Sequence, residues 1–133
     1  NFQEIYKRWI NAPDIFIPSH LQKVNTGSLV DLYNEAARSY VFGNKVASVT
    51  LCRSLMEHIL KKYYKVEREN LESIIAVAES KFPNLRKFYM QRKRREANDI
   101  LHDYENKSET EDAMVLNFLK TIKYLVQNIP KNL

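Results

Sequence analysis

The chain has 133 residues, close to the commonest size for one domain, and its 44% apolar and 28% charged content excludes wholesale disorder. It holds 2 Gly and 4 Pro, where average usage gives roughly 16 of the two together, a deficit that argues for long helices and against a turn-rich sandwich or barrel. The formal net charge is +5 and the charges are sorted: seven cations and no anion fall in 81–95, and seven anions against Lys107 alone fall in 96–112.

No stretch approaches the ~20 apolar residues needed to span a bilayer, and no signal-peptide pattern opens the chain, so no membrane partner is expected. The single cysteine, Cys52, leaves no internal disulfide and no cysteine-based zinc site. A cytoplasmic location is the simplest expectation. The chain opens on Asn1 and not on Met, which reads as a fragment or a processed chain.

Residues 1–18 read as an N-terminal arm and residues 19–133 as the helical bundle. In the arm, a short helix at 2–10 precedes an extended segment between Pro13 and Pro18. Its aromatic and aliphatic residues imply packing on its own domain or on a partner. A helix is expected at 28–42, with Ser28 and Asp31 as a capping box and Leu29, Leu32, Tyr33, Ala36 and Tyr40 on one face. Gly43 stops it.

The second helix, 45–64, carries a broad apolar face of Val46, Val49, Cys52, Met56, Ile59, Leu60 and Tyr63, widened by Leu51 and Leu55. Such breadth marks the central helix. Arg53 and Glu57 stand four residues apart and can pair. A short helix follows at 71–81, with Asn70 as N-cap and Leu71, Ile74, Ile75 and Ala78 inward. Pro83 breaks the chain before a long helix at 84–105. The last helix, at 110–128, has a capping box at Ser108 and Glu111 and buries Val115, Phe118, Leu119, Ile122, Val126 and Ile129. These elements predict an all-α antiparallel bundle of four to five helices.

The informative segment is Arg94-Arg95-Glu96-Ala97-Asn98-Asp99-Ile100-Leu101-His102. With Arg95 at zero on a helical wheel, Asn98 falls at about 300° and His102 at about 340°. Met90, Ala97, Leu101 and Tyr104 centre near about 180–240°, so the Arg–Asn–His stripe points away from the helix's own apolar side. The cations also precede Asp103 and Glu105, an order the helix dipole disfavours. Local helix stability therefore did not select it, and a need for positive potential would explain it. The basic run, with Lys81, Arg86, Lys87, Arg92 and Lys93 interleaved by Phe82, Phe88 and Tyr89, fits a surface that holds phosphates and stacks bases. His20 and His58 have no sequence partners and read as structural.

The ordered set Ile17-Pro18-Ser19-His20, Glu35-Ala36 through Tyr40 to Gly43, Arg53-Ser54-Leu55-Met56-Glu57 and Arg94 through His102 resembles the HEPN superfamily (higher eukaryotes and prokaryotes nucleotide-binding) over roughly residues 15–128. It is most similar to an uncharacterised bacterial HEPN-like family found with restriction and other defence enzymes. Six residues separate Arg95 from His102 and seven separate Arg94 from it. The first spacing suits the general motif and the second the closer family.

The resemblance implies a HEPN-like bundle that homodimerises and brings two Arg/His motifs into one cleft. In catalytic members, a metal-independent endoribonuclease of a defence or toxin–antitoxin system, His102 would be the acid/base at the ribose 2′-OH or the leaving oxygen. Imidazole titrates near neutrality, as that role requires. Arg95 or Arg94 would neutralise the scissile phosphate and Asn98 would orient the His or the phosphate. On the second helix, Arg53 and Glu57 read either as a supporting pair at the same cleft or as a structural pair that holds the helix to a neighbour. No cofactor and no metal is implied. Other members are non-catalytic modules for dimerisation and for binding RNA or nucleotides within a larger defence protein, or partners of an antitoxin. Glu96, directly after Arg95, favours that alternative, because an acid there opposes phosphate binding.

Overall fold

The computed structural model describes residues 1–18, 26–102 and 111–131. The described chain is all-α: α1 (Phe2–Asn11), α2 (Gly27–Val41), α3 (Lys45–Lys62), α4 (Leu71–Lys81), a 3-10 helix (Pro83–Phe88), α5 (Met90–His102) and α6 (Asp112–Gln127). None of these helices is long and apolar enough to cross a membrane.

Helices α2, α3 and α6 pack on one another, and α3 also touches α4 and α5. The broad apolar face of α3 has this cause: Val49, Cys52, Met56, Ile59 and Leu60 are fully buried because neighbours surround the helix on several sides. The turn at 42–44 folds α3 back on α2. Gly43 takes φ 88°, a left-handed conformation that costs glycine little. Close approach of α2 and α3 rests on small residues. Ala36 and Ala37 are buried, and Ser48 is buried with its hydroxyl donating to the Ala36 carbonyl at 2.8 Å. Burial also pushes the Cys52 thiol well above its usual range, which fits an inert core residue and not a nucleophile.

Elsewhere on the apolar stripes, Val46 and Leu32 come out exposed, whereas Val30, Val41 and Ala37 are buried. The inward face of α2 is therefore shifted from the sequence pattern, away from Leu32 and onto Val30, Ala37 and Val41. Helix α2 also begins earlier than expected, at Gly27 with Thr26 as N-cap, so Ser28 lies inside the first turn and not at a cap. Asn70 caps α4 as expected, accepting from the Ser73 amide at 2.9 Å. Ser108 lies outside the described residues, and Glu111 sits at the N-cap position of α6.

The helix expected over 84–105 is interrupted. Pro83–Phe88 forms a 3-10 helix, Tyr89 adopts φ 49° and ψ 51°, and α5 starts at Met90. The reason is packing. Leu85 and Met90 are buried, and Phe88 lies against Tyr124 with ring centroids 4.7 Å apart. On an unbroken helix Phe88 and Met90 would point about 200° apart. The left-handed residue re-aims the chain so that both reach the body.

The arm packs on its own domain. Ala12, Ile15 and Ile17 are buried in the core. The Ile17 amide donates to Asn34 Oδ1 and Asn34 Nδ2 donates back to the Ile17 carbonyl, both at 2.9 Å. The Tyr33 hydroxyl donates to the Ile15 carbonyl at 2.5 Å. Helix α1 itself buries no residue and leaves Phe2, Tyr6, Trp9 and Ile10 exposed. It is held by Ile5 against the core, by Trp9 against Phe16, and by Arg8, whose Nε meets Asp112 at 3.2 Å, while Lys45 reaches the other Asp112 oxygen at 2.9 Å.

Candidate nucleic-acid interface

Helix α5 is held by a narrow apolar strip, Met90, Ala97 and Ile100, and apart from Leu101 its remaining surface is polar. Arg95, Asn98 and His102 lie on one face, as their spacing dictates. Along the axis Asn98 is about 4.5 Å and His102 about 10.5 Å from Arg95. Arg95 and His102 are exposed, and Asn98 is half-buried at the seam with α3. There the guanidinium of Arg53 donates through Nε to Asn98 Oδ1 at 2.9 Å. The expected pairing of Arg53 with Glu57 is replaced: among the described residues no ion pair joins them, and Arg53 reaches across to α5 instead. Glu57 is half-buried on α3 one turn further along.

Arg94 is half-buried and donates through Nε to Gln91 Oε1 at 2.9 Å, while Gln91 Nε2 donates to the Glu72 carbonyl at 2.9 Å. The pair fixes α5 to α4. Of the two arginines in the motif, Arg95 is thus the one presented outward, and Arg94 braces the helix. On the opposite flank Glu96 is paired with Arg92 at 3.4 Å.

The basic run divides the same way. Lys81, Arg86, Lys87 and Arg92 are exposed. Lys93 is half-buried and donates to the Phe88 carbonyl. Burial and the adjacent Arg92 push its ammonium below the usual lysine range, against a smaller opposite effect of Glu96. It therefore secures the left-handed turn and is not presented for a phosphate. Of the interleaved aromatics, Phe82 packs edge-on against Tyr64 at 5.4 Å and Phe88 against Tyr124, so both serve the body. Tyr89 alone of the three is exposed, at 62%, with the Arg92 guanidinium 5.2 Å from its ring centroid. The left-handed turn thus leaves one aromatic ring and one cation side by side on the surface.

His58 is exposed, its ring edge-on to Tyr63, and His20 lies outside the described residues. Among the described residues, no three His, Cys, Asp or Glu side chains are grouped as metal ligands.

Sequence reasoning missed two features. The Arg53–Asn98 bond joins residues 45 apart in the chain, and the signal was present only as two polar residues on otherwise apolar-sided helices. The Arg8–Asp112–Lys45 cluster joins residues 104 apart and left no local pattern. Comparison with protein-family models, curated proteins and solved structures finds no significant match.

Proposed function

We propose that this chain is an RNA-directed, HEPN-like domain that works as a homodimer, and that it cleaves RNA without a metal ion. The observation that supports this reading is the α3–α5 seam: Arg53 fixes Asn98, and Arg95 and His102 flank it on the exposed side of α5. A single copy holds Arg95 and His102 about 10.5 Å apart along the helix axis. Two α5 helices apposed antiparallel across a two-fold axis set Arg95 of one copy against His102 of the other, with both Asn98 side chains near the axis. Each composite half then has a cation for a phosphate and an imidazole for the ribose hydroxyl or the leaving oxygen. The exposed cations Lys81, Arg86, Lys87 and Arg92, with Tyr89 as a stacking ring, supply a track for the strand on either side.

A second reading, a dimeric module that binds RNA or a nucleotide without cleaving it, is favoured by Glu96, which follows Arg95 and pairs with Arg92 at 3.4 Å. A cytoplasmic role beside an antitoxin or within a larger defence protein suits either reading.

The test is RNA cleavage in EDTA, wild type beside His102→Ala, on transfer RNA and total RNA, with solution mass measured in parallel. Cleavage leaving 2′,3′-cyclic phosphate ends is expected from a dimer, and loss of the acid/base should slow it by about 100-fold or more. A dimer that binds RNA and leaves it intact establishes the second reading. A monomer that binds no RNA overturns both.

A further inference from the structure

Apart from the α3–α5 face, the molecule holds a cavity of about 410 Å³ between the arm and α6. This is within the range of small-molecule sites, roughly 300–1,000 Å³. Ala12, Pro13 and Ile15 of the arm form one wall, and Leu116 and Tyr124 of α6 form the other, with Tyr33 behind them. Lys120 and Lys123 stand one turn apart on the rim. Among the described residues neither is in an ion pair with a carboxylate. The Lys123 ammonium donates to the Asp14 backbone carbonyl, which fixes its position. Among the described residues Asp14 is the one acid of the lining, against the two lysines. The Tyr124 ring also packs against Phe88 and has the Lys87 ammonium 4.9 Å from its centroid.

The neighbouring cleft beside α1 differs. Lys7 and Glu4 also line it, and its Arg8 and Lys45 are each ion-paired with Asp112. The arm cavity combines an apolar interior with unmatched positive charge at its mouth. An apolar interior selects a hydrocarbon or aromatic body, and the lysine pair selects an anionic end.

We propose that the arm cavity binds a small amphiphilic carboxylate, its apolar body against Leu116, Tyr124 and Ile15 and its carboxylate at Lys120 and Lys123. Because one wall is the arm, the bound molecule also ties residues 12–15 to α6. The proposal stands independently of any action on RNA.

Fluorescence titration of the full chain with 1-anilinonaphthalene-8-sulfonate, an aromatic anion, tests it. Saturable one-site binding is expected. 4-Phenylbutyrate should displace the probe, and its neutral counterpart 4-phenylbutanol should do so about fivefold less well, the equivalent of one exposed charge contact. Lys120→Glu, at an exposed position that packs against nothing in the core, should weaken the probe by about fivefold or more. Replacing Phe2 and Tyr6 by Ser removes exposed apolar side chains of α1 that the probe could take instead, and should leave the affinity unchanged. The proposal is overturned if Lys120→Glu binds like wild type, if the alcohol competes as well as the acid, or if the α1 variant abolishes binding.

Discussion

Helices α3 and α5 pack on each other and share a charged hydrogen bond, yet they are built on opposite principles. Helix α3 buries seven of its residues and is touched by α2, α4, α5 and α6. Helix α5 buries three, and much of what fixes it is polar: Arg53 to Asn98, Gln91 to the Glu72 carbonyl, and Lys93 to the Phe88 carbonyl. Its cations occupy the first turns, where the helix dipole opposes them. The sequence of α3 is therefore explained by folding. That of α5 is explained only in small part by folding, and the remainder is surface chemistry.

The largest test of that contrast is truncation. Met56→Ala on α3 removes a fully buried side chain and should cost about 2–5 kcal/mol in urea unfolding. Leu101→Ala on α5 starts from a side chain 38% exposed and should stay within about 0.5 kcal/mol. Equal costs at the two positions would erase the distinction between a folding helix and a surface helix.

A finer test addresses the Arg53–Asn98 bond between them. Arg53→Ala and Asn98→Ala, singly and together, form a double-mutant cycle. A charged, half-buried hydrogen bond predicts a coupling of about 1 kcal/mol. Additive losses would mean that Arg53 does not hold Asn98 in solution. The same variants carry a functional reading: if Asn98 must be fixed for RNA to engage Arg95, Arg53→Ala should weaken RNA binding although Arg53 lies on the other helix.

The contrast also explains what was legible in the sequence. Local signals were read directly: the alternating stripes of α3 and α6, the Asn70 cap, the Gly43 stop and the common face of Arg95, Asn98 and His102. Signals that depend on distant partners were not. Tyr89 has nothing glycine-like about it, and its left-handed turn exists because Phe88 and Met90 must both reach the body. Arg53 has an acid one turn away and ignores it for an amide on another helix. Val46 fits the apolar stripe of α3 but sits in its first turn, beyond the cover of the neighbours, and is exposed. In each case periodicity describes one helix, whereas the outcome is set by what packs beside it.

The smallest effect concerns the other end of α3. Asp112, in the first turn of α6, takes Lys45 of α3 on one oxygen and Arg8 of α1 on the other. Burial alone would raise its carboxyl, but hydrogen bonding and charge from Lys45, with Arg8 behind them, bring it below the usual carboxylate value. A folded-state value below the unfolded one means the unfolded chain binds the proton more tightly. The contribution is then complete above the ordinary carboxylate range near about 4 and disappears as pH falls through the folded-state value. The carboxylate is 45% exposed, and solvent screening limits the gain to about 1 kcal/mol or less. Asp112→Asn should therefore be slightly less stable than wild type at pH 6, with the gap shrinking in high salt and closing toward pH 2. A gap of the same size at both pH values would assign the loss to shape and not to charge. It would then be packing, as in the middle of α3, that holds this end of the helix.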